Sequence, residues 1–164
     1  MRLKNVWVLL VGLMVVALGL PALAATGIFQ KAALTDLSGN ADPTDGAWAV
    51  ASATVTGGQT VVVLNVKDLS AEAGTTFGAH VHIGPCVEAD GAAALGHYNA
   101  GGGVSPETEL WLDFTVTGGG TGHATAIVPF EIHEGTARSI VIHALPTAPN
   151  GAAGARLACL PLEF

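Results

Sequence analysis

The chain holds six histidines, at positions 80, 82, 97, 123, 133 and 143. Imidazole is the commonest metal ligand among side chains and titrates near neutrality. His80 and His82 form the triplet His80-Val81-His82 inside Phe77 to Ile83, a short stretch that reads as a strand. Side chains two apart on a strand leave one face, so both rings can reach a single ion. Alone, this spacing fits a solvated or otherwise satisfied pair as well as a metal site. His97 stands in Gly96-His97-Tyr98-Asn99, within a long loop, and His143 ends the apolar run Ser139-Ile140-Val141-Ile142-His143. A histidine closing a buried strand beside a Pro-containing loop is an uncommon placement. For each of these two the alternative is a ring bonded to backbone or water. His123, after Gly120-Thr121-Gly122, and His133, between Glu131 and Glu134, read as exposed loop histidines.

The elements that must carry these rings are strands. Ala47 to Thr56 alternates small, apolar and β-branched residues, and Thr60 to Val66 is strongly β-branched. Gly57-Gly58 between them predicts a hairpin. Leu110 to Thr117 and Ala124 to Phe130 flank Gly118-Gly119-Gly120, which predicts a second hairpin. Ser139 to His143, Arg156 to Leu162 and a strand near Ile28 to Leu34 complete the set. No segment after the first two dozen residues has a helical period with caps. Short strands between glycine-rich turns imply an all-β sandwich or barrel. Three irregular stretches interrupt it: Gly84 to Ser105, Ile132 to Arg138 and Ala144 to Ala155. Long loops on a rigid β scaffold are where sites tend to form.

The first residues predict export. Arg2 and Lys4 precede an apolar run from Val6 to Leu20, and Ala22-Leu23-Ala24 is a small-residue cleavage pattern. This is the layout of a signal peptide over residues 1–24, leaving one domain over 25–164. An uncleaved anchor is the alternative. After cleavage no segment is long and apolar enough to span a membrane. The full chain carries a formal net charge of −7, and loss of Arg2 and Lys4 makes it more acidic still. So few cations argue against nucleic acid or an anionic membrane as partner. A secreted or periplasmic location is oxidising, so the two cysteines, Cys86 and Cys159, are expected to pair.

In chain order, Phe77-Gly78-Ala79-His80-Val81-His82, Cys86, Gly96-His97-Tyr98-Asn99, Val141-Ile142-His143-Ala144 and Gly154-Ala155-Arg156-Leu157-Ala158-Cys159 resemble the copper/zinc superoxide dismutase family. The resemblance runs from about Ala47 to Leu160. It implies an eight-stranded Greek-key β-barrel, flattened like a sandwich. It implies copper held by His80, His82, His97 and His143, with His97 in the place of the ligand that bridges to zinc. Arg156 matches the arginine that guides and holds the superoxide anion, and Cys86–Cys159 matches the family's disulfide. The implied activity converts superoxide to dioxygen and hydrogen peroxide. His97 then also serves catalysis, because its counterpart leaves copper and takes up a proton. A copper-delivery protein is the implied macromolecular partner; no oligomer is specified.

The zinc half of the pattern is incomplete. Ala100 to Leu112 contains no histidine, and Glu109-Leu110-Trp111 stands where a zinc histidine would. Asp113 is near the place of the zinc aspartate but also fits a strand residue. One bridging ring and one aspartate do not make the closed four-ligand site of structural zinc. The loop from His143 to Arg156 is also short for the family. Both departures resemble the copper-only subgroup. Without zinc something else must orient His97; a carboxylate is the usual device, and Glu107 or Glu109 are the candidates, with Asp113 nearby. A copper-binding module without dismutase activity, such as a carrier, is the competing reading, since fold does not guarantee chemistry.

Overall fold

A computed structural model describes residues 25–163; the expected signal peptide, residues 1–24, lies outside them. Among the described residues there are nine strands. They are β1 (Thr26–Ala33), β2 (Thr35–Asp36), β3 (Trp48–Thr56), β4 (Gln59–Lys67), β5 (Thr76–His82), β6 (Phe114–Thr115), β7 (Gly122–Val128), β8 (Ser139–His143) and β9 (Arg156–Pro161). One sheet has the order β1-β3-β4-β7 and the other β2-β9-β8-β5-β6, all antiparallel. The expected β-sandwich is therefore present. The count exceeds eight because the first strand is split: β1 pairs with β3, and two residues on β2 pairs with β9 in the other sheet.

Residue alternation sets the layers. In β3, Ala49, Ala51, Ala53 and Val55 are buried, and in β4 Thr60, Val62, Leu64 and Val66 are. Of these, Ala49, Ala51, Ala53, Val62, Leu64 and Val66 meet Ala79, Val81, Ile140, Ile142 and Leu160 from the second sheet in one core. The first expected hairpin forms with Thr56 opposite Gln59, across Gly57 and Gly58 at φ 59° and 83°. Two positive φ angles in a two-residue turn suit glycine and match the twist of the strands.

The second expected hairpin does not form. β6 pairs with β5 in one sheet, while β7 pairs with β4 in the other. The glycine turn instead carries the chain across the sandwich, closing locally through Thr117 N–H to Thr121 O. Beyond this turn the packing is tight at Gly122: a Cβ there would lie 2.1 Å from Cδ2 of Phe114, so the Phe114 ring fills the space beside the β7 backbone. Gly122→Ala is accordingly expected to cost about 2 kcal/mol by overpacking. Gly119, whose added Cβ would meet nothing closer than Thr117 Oγ1 at 3.8 Å, is the control. Urea denaturation of both alanine variants checks this; equal stabilities would refute it.

β5 and β8 are buried on both faces. One face is the core; loops cover the other. There Val141 and Cys159 pack with Leu37, Ala94 and Cys86, and Cys86 is disulfide-bonded to Cys159 across a Cα–Cα distance of 5.7 Å. The 84–105 loop is thereby tied to β9.

Candidate metal centre

The register of β5 against β8 places Gly78 opposite His143, His80 opposite Val141 and His82 opposite Ser139. His80, His82 and His143 therefore leave the same, loop-covered face of the sheet. His97 arrives from the long loop, held beside β5 by a bridge from its backbone to His82. Ring centroids lie 4.0 Å apart for His80–His97, 4.8 Å for His82–His97, 4.9 Å for His80–His143 and 5.6 Å for His82–His143. One nitrogen from each ring falls within 4.8 Å of all the others. Metal–imidazole bonds are about 2.0–2.1 Å, so ligands opposite each other around an ion stand about 4 Å apart. The four nitrogens already have nearly that spacing.

Hydrogen bonds at the outer nitrogens assign the tautomers. His82 Nδ1 donates to Leu95 O at 3.3 Å, His143 Nδ1 to Gly154 O at 3.3 Å, and His97 Nδ1 to a Glu109 carboxylate oxygen at 2.8 Å. A neutral imidazole has one N–H, so each of these rings turns a bare Nε2 inward. Nε2 of His143 and Nε2 of His82 face each other at 3.4 Å, lone pair against lone pair. His80 Nδ1 is buried with no hydrogen-bond partner. Four rings turned toward one another in this way could hold a cation between them.

Burial keeps the rings in that form. His80 is pushed down to about 2, first by desolvation and then by the neighbouring histidines and Arg156. His82 falls to about 3 by desolvation, His97 and Arg156. His143 falls to about 4, chiefly by desolvation, with the Gly154 carbonyl opposing. All three are neutral at pH 7, the state a metal ligand requires.

Glu109 is 3% exposed. Oε2 accepts from His97 Nδ1 and Trp111 Nε1, both at 2.8 Å, and Oε1 from Asn99 Nδ2 at 2.9 Å. Burial raises its pKa, but the bonds from Trp111, His97 and Asn99 outweigh that and hold the carboxyl below its ordinary value. Glu107 is exposed, and its backbone N–H bonds Ser105 Oγ; between the two candidates it is Glu109 that touches His97. Asp113 sits behind His80 instead, accepting from the backbone N–H of Ala79 and Thr147 and from the Thr147 hydroxyl.

Arg156 reaches this face through an irregularity. β8 and β9 shift register between Ile142 and His143, so that Ala158 opposes Ile142 but Arg156 opposes His143. A bulge of one residue flips every later side chain to the other face. Leu157 turns into the core, and Arg156 turns toward the histidines. Its guanidinium donates to Gly91 O and Leu95 O. The Leu95 carbonyl thus serves both Arg156 and His82, presented by a backbone at φ 58° that is uncommon for leucine.

No protein-family model matches the chain, and no curated protein does. A solved structure does: a double mutant of a SOD-like protein from Bacillus subtilis matches with a TM-score of 0.58 at 19% identity, over 83% of this chain and 99% of that one. The fold is SOD-like.

On this SOD-like scaffold the four histidines singled out from sequence meet, with Arg156 beside them, while His123 and His133 stay exposed. His123 is on strand β7 rather than in a turn, bonded to Asn65 at 2.8 Å. Two participants went unread in the sequence. Leu95 acts through its carbonyl, which any residue carries. Thr147 is a lone hydroxyl in a loop, and nothing in its spacing marks it.

Proposed function

We propose that this chain is an exported, copper-dependent superoxide dismutase with one metal site and no zinc, akin to the copper-only subgroup. The convergence of four bare imidazole nitrogens beside one guanidinium carries this reading. His80, His82, His97 and His143 would hold the ion; imidazole suits copper, which tops the divalent affinity order. Copper held there supplies the one-electron couple by which superoxide becomes dioxygen and hydrogen peroxide. The bond from His97 Nδ1 to Glu109 supports a single-metal site, because the nitrogen that would face zinc is already committed to a carboxylate.

The chain's own residues divide the remaining work. Arg156 binds the anion. Two of its five N–H donors are committed to Gly91 and Leu95, which aims the planar group and leaves donors for substrate. Net charge cannot attract superoxide to a chain that is −7 at full length and more acidic without Arg2 and Lys4, so attraction would be local, to copper and Arg156. Glu109 keeps the His97 proton on Nδ1 and the inward nitrogen free. The Cys86–Cys159 disulfide fits an oxidising compartment.

Arg156→Ala is expected to lower kcat/KM at least tenfold while copper stays bound, because guanidinium–anion contacts are charge-assisted. Unchanged activity would remove Arg156 from the mechanism. The reading as a whole is tested by metal content and electron paramagnetic resonance of the mature protein, with dismutation assayed beside His143→Ala. One copper per chain in a four-nitrogen signal, and activity lost in the variant, is the expected result. Copper bound without dismutation would make the protein a carrier or scavenger; zinc bound alongside copper would overturn the single-metal assignment.

A further inference from the structure

His80 differs from the other three rings in which nitrogen it turns inward. Its Nδ1 is the orphan, and its Nε2 lies 2.8 Å from the Thr147 hydroxyl. That hydroxyl lies 2.6 Å from Asp113 Oδ1, and the Thr147 backbone N–H donates to Asp113 Oδ2 at 2.8 Å. A hydroxyl has a single proton and a carboxylate only accepts. The Thr147 proton therefore goes to Asp113, and its oxygen must accept from His80 Nε2–H. We propose that Thr147 is a positioning residue: its hydroxyl, polarised by Asp113, fixes His80 in the Nε2–H tautomer and so leaves Nδ1 bare for the metal.

The surroundings leave little freedom. A Cβ on Gly78 would lie 2.7 Å from Leu145 O, 2.7 Å from Ala153 Cβ and 2.9 Å from Thr147 Oγ1. The 144–155 loop is thus pressed directly onto β5, and only glycine at 78 lets Thr147 reach the ring two residues along. Gly78 N–H bonds Leu145 O at 2.9 Å, clamping the same contact. His80 is fully buried, so bulk solvent does not reach Nε2. An outer partner that fixes ring orientation and basicity commonly changes metal affinity 10–100-fold.

The role assigned to Thr147 as a metal-site residue rests on the proposed copper reading, but the tautomer can be observed without metal. Long-range proton–nitrogen NMR of the metal-free mature protein at pH 7.5 should show His80 protonated at Nε2. Thr147→Val keeps the shape and the backbone bond to Asp113 but removes the hydroxyl, and should populate the Nδ1–H form. Thr147→Ser should restore the native pattern. In chelator competition, Cu(II) affinity should fall about tenfold in Thr147→Val and recover in Thr147→Ser. An unchanged His80 tautomer in Thr147→Val, or equal loss in the Val and Ser variants, overturns the assignment. Wild type that binds no copper yet shows the tautomer shift would sink the copper reading and leave the relay standing.

Discussion

The metal-free protein is expected to lose about 5 kcal/mol of stability between pH 7 and pH 5, through His80, His82 and His143 alone. Their folded pKa values, about 2, 3 and 4, all lie below that window, against 6.5 for a free histidine. As pH falls through 6.5 the unfolded chain gains a proton on each ring and the folded chain gains almost none. Because the unfolded state binds more protons, stability rises with pH, at about 1.4 kcal/mol per unit for each ring. It is complete above pH 6.5 and declines as acid is added toward the folded values. The cause is first of all burial, since the three rings are at most 4% exposed. A loss of about 5 kcal/mol rivals the whole stability of an ordinary domain, so acid should unfold the metal-free protein or open the loops over β5 and β8. Urea midpoints at pH 7 and pH 5 measure the loss. His80→Leu should remove about a third of it. A midpoint indifferent to pH over this range would mean the rings are not buried as a neutral cluster.

That cost follows from features of unequal visibility in the sequence. Alternation in Ala47 to Thr56 and the Gly57-Gly58 turn identify β3 and β4 because strand period and turn chemistry are local properties. The four histidines were legible for a related reason. His80 and His82 share a face by strand geometry, and the motifs around His97 and His143 resemble a known site. Features set by tertiary contact were not. Gly118-Gly119-Gly120 looks like any hairpin turn, and only the pairing of β6 with β5 and of β7 with β4 shows that the chain changes sheets there. Arg156 would face the core but for a one-residue register shift that no local pattern announces. Glu107 and Glu109 are equivalent as letters. A bridge between Asn99 and Glu109 brings one of them to His97 and leaves the other in solvent.

Glu109→Ala is therefore expected to damage both the fold and the site. The carboxylate is the shared acceptor of three donors, and two of them, His97 Nδ1 and Trp111 Nε1, converge on one oxygen. Removing it leaves those N–H groups without an acceptor, at about 1–3 kcal/mol each, so a loss of about 3 kcal/mol in urea denaturation is expected. Copper affinity should fall 10–100-fold in chelator competition, because His97 loses both its orientation and the negative charge that raises its basicity. Glu109→Gln separates these effects. An amide oxygen can still serve His97 and Trp111, but its NH2 then meets the Asn99 NH2. Asn99 cannot turn over to accept, because its Oδ1 is held by Gly101 N–H and its Nδ2 by Gly103 O. Asn99 is exposed and water relieves part of that clash, so the glutamine variant should cost only about 1 kcal/mol while binding copper about tenfold more weakly. The charge and the shape of the acceptor then have separate readouts. Wild-type copper affinity in both variants would show that His97 is oriented by its loop alone and that Glu109 is a structural carboxylate.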